Sequence, residues 1–152
     1  MTSRQQLDSF LRKYHPAVAA CARRALGQLR QRLPGAIEMV YDNYNGLVIG
    51  FGPSDKPSLA IFSIALFPRW VILFFLQGAK IPDPERRLTG SGRIVRHVKL
   101  EHDTFDDPAI ARLITEALRR AKVPLHRGQR RRLVIKSISA KQRPRRLPTT
   151  SR

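Results

Sequence analysis

The segment from Gly90 to His97 combines residue types that bind small anions. Its two glycines, Gly90 and Gly92, allow backbone N–H groups to converge on one point, and the arginines that follow can clamp a carboxylate or phosphate. The spacing does not fit the dinucleotide-binding fingerprint, since Val95 stands where a third glycine is needed. It does not fit a Walker A loop either, because the Lys-Ser/Thr pair is missing. A glycine turn that leads into a strand with exposed charges is the structural alternative.

Two charged residues, Glu38 and Arg96, fall where strand alternation predicts an apolar face. Because a buried charge without a partner is very costly, we expect them to pair across the sheet, near Tyr41 and Trp70. The pair either supports the fold alone or lines a pocket for a small anion or a protein segment. The residues predicted to line this pocket, beside the segment 77–97, are Glu38, Tyr41, Trp70, Gly90, Ser91, Gly92, Arg93, Arg96 and His97.

Catalysis has little support in the sequence. A nucleophile needs a positioned base and an oxyanion donor. Ser91 and His97 are close in sequence, but the GxSxG pattern is absent and no acid is placed to orient the imidazole. No catalytic residue is therefore assigned, and the chain is interpreted as a non-enzymatic binding protein.

The acid-rich run from Glu101 to Asp107 includes a histidine and would suit a metal ion by ligand type. Capping of a helix that begins at Pro108, together with a solvated loop, explains these residues better. The single cysteine, Cys21, lies on the apolar stripe of a predicted helix and excludes an internal disulfide. We predict neither a metal site nor a cofactor.

Positive charge is concentrated at the C-terminal end. The chain of 152 residues carries a net charge of +18, and residues 122–152 contain eleven Lys and Arg and no acid. Such a segment suggests a polyanionic partner. Because it also lacks Phe, Tyr and Trp, it favours low-specificity contact with a nucleic-acid backbone over base recognition, with a solvated tail as the alternative. The candidate nucleic-acid-binding residues are Arg127, Arg130, Arg131, Arg132, Lys136, Lys141, Arg143, Arg145 and Arg146.

Hydrophobic periodicity and turn residues predict an α+β fold. Helices are expected over 4–14, 16–33 and 106–121, and strands over 36–42, 47–51, 59–66, 70–76 and 94–100. This order indicates an antiparallel sheet of five to six strands with the helices packed on one face. Residues 1–123 form the domain, and 124–152 form a basic extension that contains one possible strand, 133–139, before a flexible end.

The strands 59–66 and 70–76 are apolar at almost every position, which predicts that both faces of the sheet are covered. The second cover would be the segment 77–93, the extension or a second copy of the chain, so a monomer and a homodimer both stay open. Pro68 and Arg69 interrupt the apolar run, which argues against a membrane span. The first ten residues lack the apolar run of a secretory signal, and we expect a cytoplasmic protein.

Three consecutive parts of the chain carry a resemblance to a known family. They are the segment LPGAIEMVYDNYNGLVIGFG, the segment WVILFFLQGAKIPDPERRLTGSGRIVRHVKL and a final helix. In this order they resemble the YdhG-like domain, a bacterial family of largely unknown function. The resemblance covers roughly residues 7–121 and implies a frataxin-like fold. One branch of that family is described as an intracellular iron chaperone, a role that implies clustered carboxylates near the first helix. Here the first 36 residues contain a single acid, Asp8, against seven Lys and Arg. Because iron without thiolates prefers oxygen ligands, this basic surface disfavours the iron role.

Overall fold

A computed structural model describes residues 1–148 and has three helices. They are α1 (Ser3–Leu11), α2 (Pro16–Arg32) and α3 (Pro108–Arg119). Two of them begin with proline at the first helical position, where a missing N–H costs nothing. His15 caps α2 by accepting from the N–H of Ala17, and Asp107 caps α3 by accepting from that of Ala109. These local signals explain why the three predicted helices form within a few residues of their expected bounds.

Six strands form one sheet, which confirms the α+β class. The strands are β1 (Ile37–Asp42), β2 (Leu47–Gly52), β3 (Phe62–Leu66), β4 (Val71–Phe75), β5 (Arg96–Lys99) and β6 (Arg132–Ile138). Their spatial order is β5-β4-β3-β2-β1-β6. The first five strands pair antiparallel, but β6 pairs with β1 in parallel. The sheet is therefore mixed, and the prediction of a wholly antiparallel sheet is wrong at this edge.

One face of the sheet packs against the helices. Val40, Ile49, Ile64 and Leu73 lie opposite one another in the strand register, and all four belong to the same buried cluster as the helical side chains. Tyr14 at the end of α1 is buried there, and its hydroxyl donates to the carbonyl of Leu66. Because side chains alternate along a strand, the residues between these positions point to the opposite face.

The extension is packed on the domain through a buried arginine. After β6, the chain places Arg145 at 6% exposure, with its Nη2 3.0 Å from Oδ1 of Asp42. Lys13 Nζ lies 2.7 Å from the other oxygen of that carboxylate, and Arg146 donates to the carbonyls of Arg12 and Lys13. We expected a flexible end after the sixth strand. For residues up to Arg146 the ion pair instead holds the chain, and 149–152 lie outside the described residues.

The segment 82–88, between β4 and β5, lies against α3. Arg87 pairs with Asp107 and Arg112 pairs with Glu85, while Leu88 packs on the core. This segment was one candidate cover for the second face of the sheet, and the extension was another. The first lies on the helical side and the second lengthens the sheet at its edge. Among residues 1–148, no helix has the length and apolarity needed to cross a membrane.

Candidate functional site

The predicted pair of Glu38 and Arg96 does not form. Glu38 lies on β1 and Arg96 on β5, so the strand order separates them by four strand spacings, about 19 Å. Glu38 is 4% exposed and receives two hydrogen bonds from Arg30 of α2, from Nε at 2.9 Å and from Nη2 at 2.8 Å. The hydrogen bonds to Glu38 raise the pKa of Arg30. The buried carboxylate of Glu38 therefore has a charged partner, as expected, but this partner is Arg30 of α2.

Arg96 holds the glycine segment in place through backbone contacts. Its Nη1 donates to the carbonyls of Gly92 at 2.6 Å and Val95 at 2.8 Å. Gly90 has a φ of +135°, a conformation that L residues rarely adopt, and Gly78 packs on Arg96 so closely that an added Cβ would lie 2.6 Å from the arginine Cβ. The guanidinium of Arg96 thus donates its hydrogen bonds to carbonyl oxygens of its own loop. The segment is built as a turn, with Ser91 and Arg93 exposed.

The sheet face opposite the helices is a second place where predicted site residues meet. Strand register puts Tyr41, Phe74 and His97 on this face, which we call the open face. Phe74 and His97 are cross-strand neighbours with ring centroids 5.7 Å apart. The remaining residues of the open face in β1 to β4 are Ile37, Met39, Val48, Gly50, Gly52, Ser63, Ala65 and Ile72.

Small side chains occupy the centre of the open face. Gly50, Ser63 and Ala65 lie between larger residues of β1 and those of β4, but all three are buried, and Met39 and Ala60 pack over Gly50. Tyr41 and Phe74 are half-buried in this arrangement, which leaves part of each ring in contact with solvent. Burial raises the pKa of Tyr41, and its hydroxyl therefore stays neutral at physiological pH.

Cations flank the open face, and each pairs with an acid that lies outside the strands, Lys99 with Glu101 at 3.7 Å and Arg132 with Asp55 at 3.6 Å. Lys99 is on β5 at one edge, and Arg132 is on β6 at the other. The two acids of the strands, Glu38 and Asp42, belong to the opposite face, where Arg30 and Lys13 neutralise them. Within the described strands, the open face is consequently apolar and aromatic in the middle, with one exposed cation of an ion pair at each edge.

Trp70 precedes β4 and lies under the side chain of Lys99 from β5. The Nζ of Lys99 lies 5.0 Å from the centroid of its ring, and 41% of the tryptophan is exposed. Arg24, Arg69 and His102 line the same shallow depression, together with Glu101, which pairs with Lys99. Sequence reasoning selected Trp70 but assigned it to a pocket with the glycine segment. The structure places Trp70 beside charged residues, because the turn between β3 and β4 carries it away from residues 90–93.

The basic residues of the extension have different environments. Arg145 is buried, and Arg146 donates to backbone carbonyls, so both serve the fold. Arg131 donates to the carbonyl of Arg30, and Lys136 donates to that of Asp55. The exposed members of the predicted set are Arg127, Arg130, Arg131, Arg132, Lys136, Lys141, Arg143 and Arg146. Burial removes Arg145 from the cations that can reach a ligand.

The acid-rich run and the cysteine are structural. Asp107 caps α3 and pairs with Arg87, and in residues 1–148 no three His, Cys, Asp or Glu side chains gather in a metal-binding arrangement. Cys21 is partly buried beside Leu100, and this burial raises the pKa of its thiol. A thiol in that environment is a weak nucleophile at neutral pH.

Comparison with known proteins gave no match to a family model, to a curated protein or to a solved structure. The resemblance to the YdhG-like family and the likeness to frataxin stay predictions. The geometry of the open face is therefore the basis on which a function is assigned.

Proposed function

We propose that the chain binds single-stranded nucleic acid on the open face of its sheet. Bases would stack on Tyr41 and on the Phe74–His97 pair, and phosphates would contact Lys99 and Arg132. The observation that carries the proposal is the combination on one face of half-buried rings, which leave part of their surface in solvent, with a cation on the strand at each edge. Aromatic platforms with flanking positive charge are the general means by which proteins hold single strands.

The spacing of the rings suits a strand that runs across the sheet. Three strand spacings, about 14 Å, separate β1 from β4, and Phe74 lies two residues along β4 from the position opposite Tyr41, so the two residues lie about 16 Å apart. A duplex keeps its bases stacked inside and cannot use these rings, so the arrangement favours single strands over double strands.

Charge decides between nucleic acid and a second copy of the chain as the occupant of the open face. Each copy carries a net charge of +18, and the acids at the edges of the open face, Asp55 and Glu101, already pair with Arg132 and Lys99 of their own chain. Like charges disfavour self-association, whereas a polyanion releases counterions when it binds. The same argument favours nucleic acid over a neutral or basic protein segment.

The family resemblance is compatible with this proposal but adds no residue to it. If the chain is a YdhG-like protein, it belongs to a branch that binds a polyanion, since the described residues bring no carboxylate cluster together for iron. A cytoplasmic location belongs to the same proposal, because single-stranded RNA is abundant there.

Fluorescence anisotropy with a labelled mixed-sequence 12-mer, as RNA, as DNA and as duplex, tests the proposal on the full chain. Tyr41→Val and Phe74→Val should each remove about 1–3 kcal/mol of binding free energy, which raises Kd about 5- to 150-fold. Lys99→Gln should reduce the slope of log K against the logarithm of the salt concentration by about 1, the value expected for one lost phosphate contact.

Conservative variants serve as controls. Tyr41→Phe keeps the ring and should bind as the parent chain does. Arg4→Gln removes an exposed cation from α1, on the helical side, and should leave the salt slope at the parent value. Equal affinity for duplex and single strands, or ring variants that bind normally, would contradict the proposal. If polyglutamate bound as tightly as the single-stranded 12-mer, the binding would be nonspecific attraction between opposite charges.

A further inference from the structure

A cavity of about 260 Å³ lies where the end of α3 meets the segment that follows β4. Residues from 58–61, 77–81 and 117–123 line it, and none of them belongs to the open face. The cavity is thus independent of the proposed nucleic-acid site. Part of its wall comes from the beginning of the segment 77–97, where the sequence predicted a pocket, but not from the glycines or arginines of that prediction.

The floor of the cavity is apolar. Ile61, Ile81 and Ala117 line it with 8%, 7% and 7% of their surfaces exposed. Val123 lies in the wall and is 40% exposed, so a branched aliphatic side chain is left partly in water. An apolar group that enters the cavity would cover this surface and would gain the free energy of leaving water.

The charged part of the wall is entirely positive. Lys80, Arg120 and Lys122 line the cavity, and no Asp or Glu does. Arg120 is oriented by Glu116 at 2.9 Å and by the carbonyl of Lys80 at 3.0 Å. Within the described part of the chain, neither lysine takes part in an ion pair, so their ammonium groups are available to an anion.

We propose that this cavity binds a small aliphatic monocarboxylate, with its chain on the apolar floor and its carboxylate between Lys80 and Lys122. The volume falls below the roughly 300–1,000 Å³ of sites for drug-sized ligands, so the chain has only several carbons. One carboxylate can accept hydrogen bonds from both lysines, so the ligand needs only one charged group. The cavity has one apolar floor, so the ligand needs only one aliphatic chain.

Calorimetric titration of the full chain with butanoate, hexanoate and octanoate tests the assignment, with 1-hexanol as the uncharged probe. Affinity should rise about fourfold for each added methylene until the cavity is filled. Hexanoate should bind more tightly than 1-hexanol. The double variant Lys80→Gln/Lys122→Gln should weaken hexanoate at least tenfold and leave 1-hexanol unchanged.

Ala121→Leu narrows the cavity and should shift the preference toward butanoate, and Arg4→Gln should change nothing. Equal binding of hexanoate and 1-hexanol would overturn the proposal, as would the absence of carboxylate binding at millimolar concentration or a double variant that binds hexanoate normally. Nucleic-acid binding should be the same in all these variants, so the failure of one site is distinguishable from that of the other.

Discussion

Removing the guanidinium of Arg145 should destabilise the whole domain. Arg145→Met leaves the fully buried carboxylate of Asp42 with Lys13 as its remaining ionic partner. Breaking a buried pair by removing one member costs about 3–5 kcal/mol, and the partner that remains places the loss near the lower end, about 3 kcal/mol. With a urea m-value of about 2 kcal/mol/M, the midpoint should fall by about 1.5 M.

The pH dependence of this loss identifies the charge as its cause. Burial acts to raise the pKa of Asp42, but hydrogen bonds from Lys13 and Arg145 outweigh it and lower the pKa below its usual value. A lowered pKa contributes stability above the unfolded value of about 3.9 that is lost as the pH falls through the folded value. In Arg145→Met the pKa rises, so the difference between the two proteins should shrink between about pH 5 and pH 3.

Urea unfolding followed by circular dichroism at pH 7, 5 and 3 gives both quantities. Lys141→Met, an exposed cation of the same extension, is the matched control and should change the stability by less than about 0.5 kcal/mol. A loss below about 1 kcal/mol for Arg145→Met, or a loss that does not vary with pH, would refute the account of a buried charge pair.

Three further changes test other parts of the structure. Arg30→Met should lower the free energy of unfolding measured in urea by about 3–4 kcal/mol, because it leaves the buried carboxylate of Glu38 without its ionic partner. Adding Glu38→Gln should recover part of this loss. Gly35→Ala should lower the melting temperature measured by calorimetry, because Gly35 has a φ of +79° and the new Cβ would lie 1.9 Å from the carbonyl oxygen of His126. Cys21 should react with iodoacetamide at pH 7.5 more slowly than a free cysteine does, since burial raises its pKa; an equal rate would show an accessible thiolate.

Elements governed by local signals were predictable from the sequence. Pro16 at the start of α2 and the Asp107-Pro108 pair at the start of α3 fix those helices through capping and backbone geometry. The alternation of β1 also assigned Glu38 and Val40 to one face, as the register shows. These features depend on neighbours within a few residues, so a pattern in the sequence carries them.

Partners that depend on strand order were not predictable. Glu38 needed a cation, but a sequence does not show that β1 and β5 lie at distant positions in the sheet, nor that Arg30 of α2 reaches Glu38. The pair formed by Asp42 and Arg145 joins residues 103 positions apart. Composition alone made the extension resemble a solvated tail, because a single buried arginine among many exposed ones leaves no local mark.

The open face was only partly foreseen. The apolar strands predicted a second covered face, and much of it is covered, since Ile37, Met39 and Ala65 are buried and Ala60 packs over Gly50. The rings of Tyr41 and Phe74 are the half-buried exception. Sequence reasoning found no aromatic residue in the extension and expected phosphate contact alone. Because β6 joins the edge of the sheet, Arg132 of the extension lies on the same face as the rings of the domain, opposite Ile37.

The most direct test of the proposed function is the map of backbone amide shifts when a single-stranded 12-mer is added to the ¹⁵N-labelled full chain. The account predicts that the largest changes lie on β1, β4 and β5, at and around Tyr41, Phe74 and His97, with Lys99 included. Changes restricted to the exposed cations of residues 127–146, or spread over α1 to α3, would contradict a binding site on the open face.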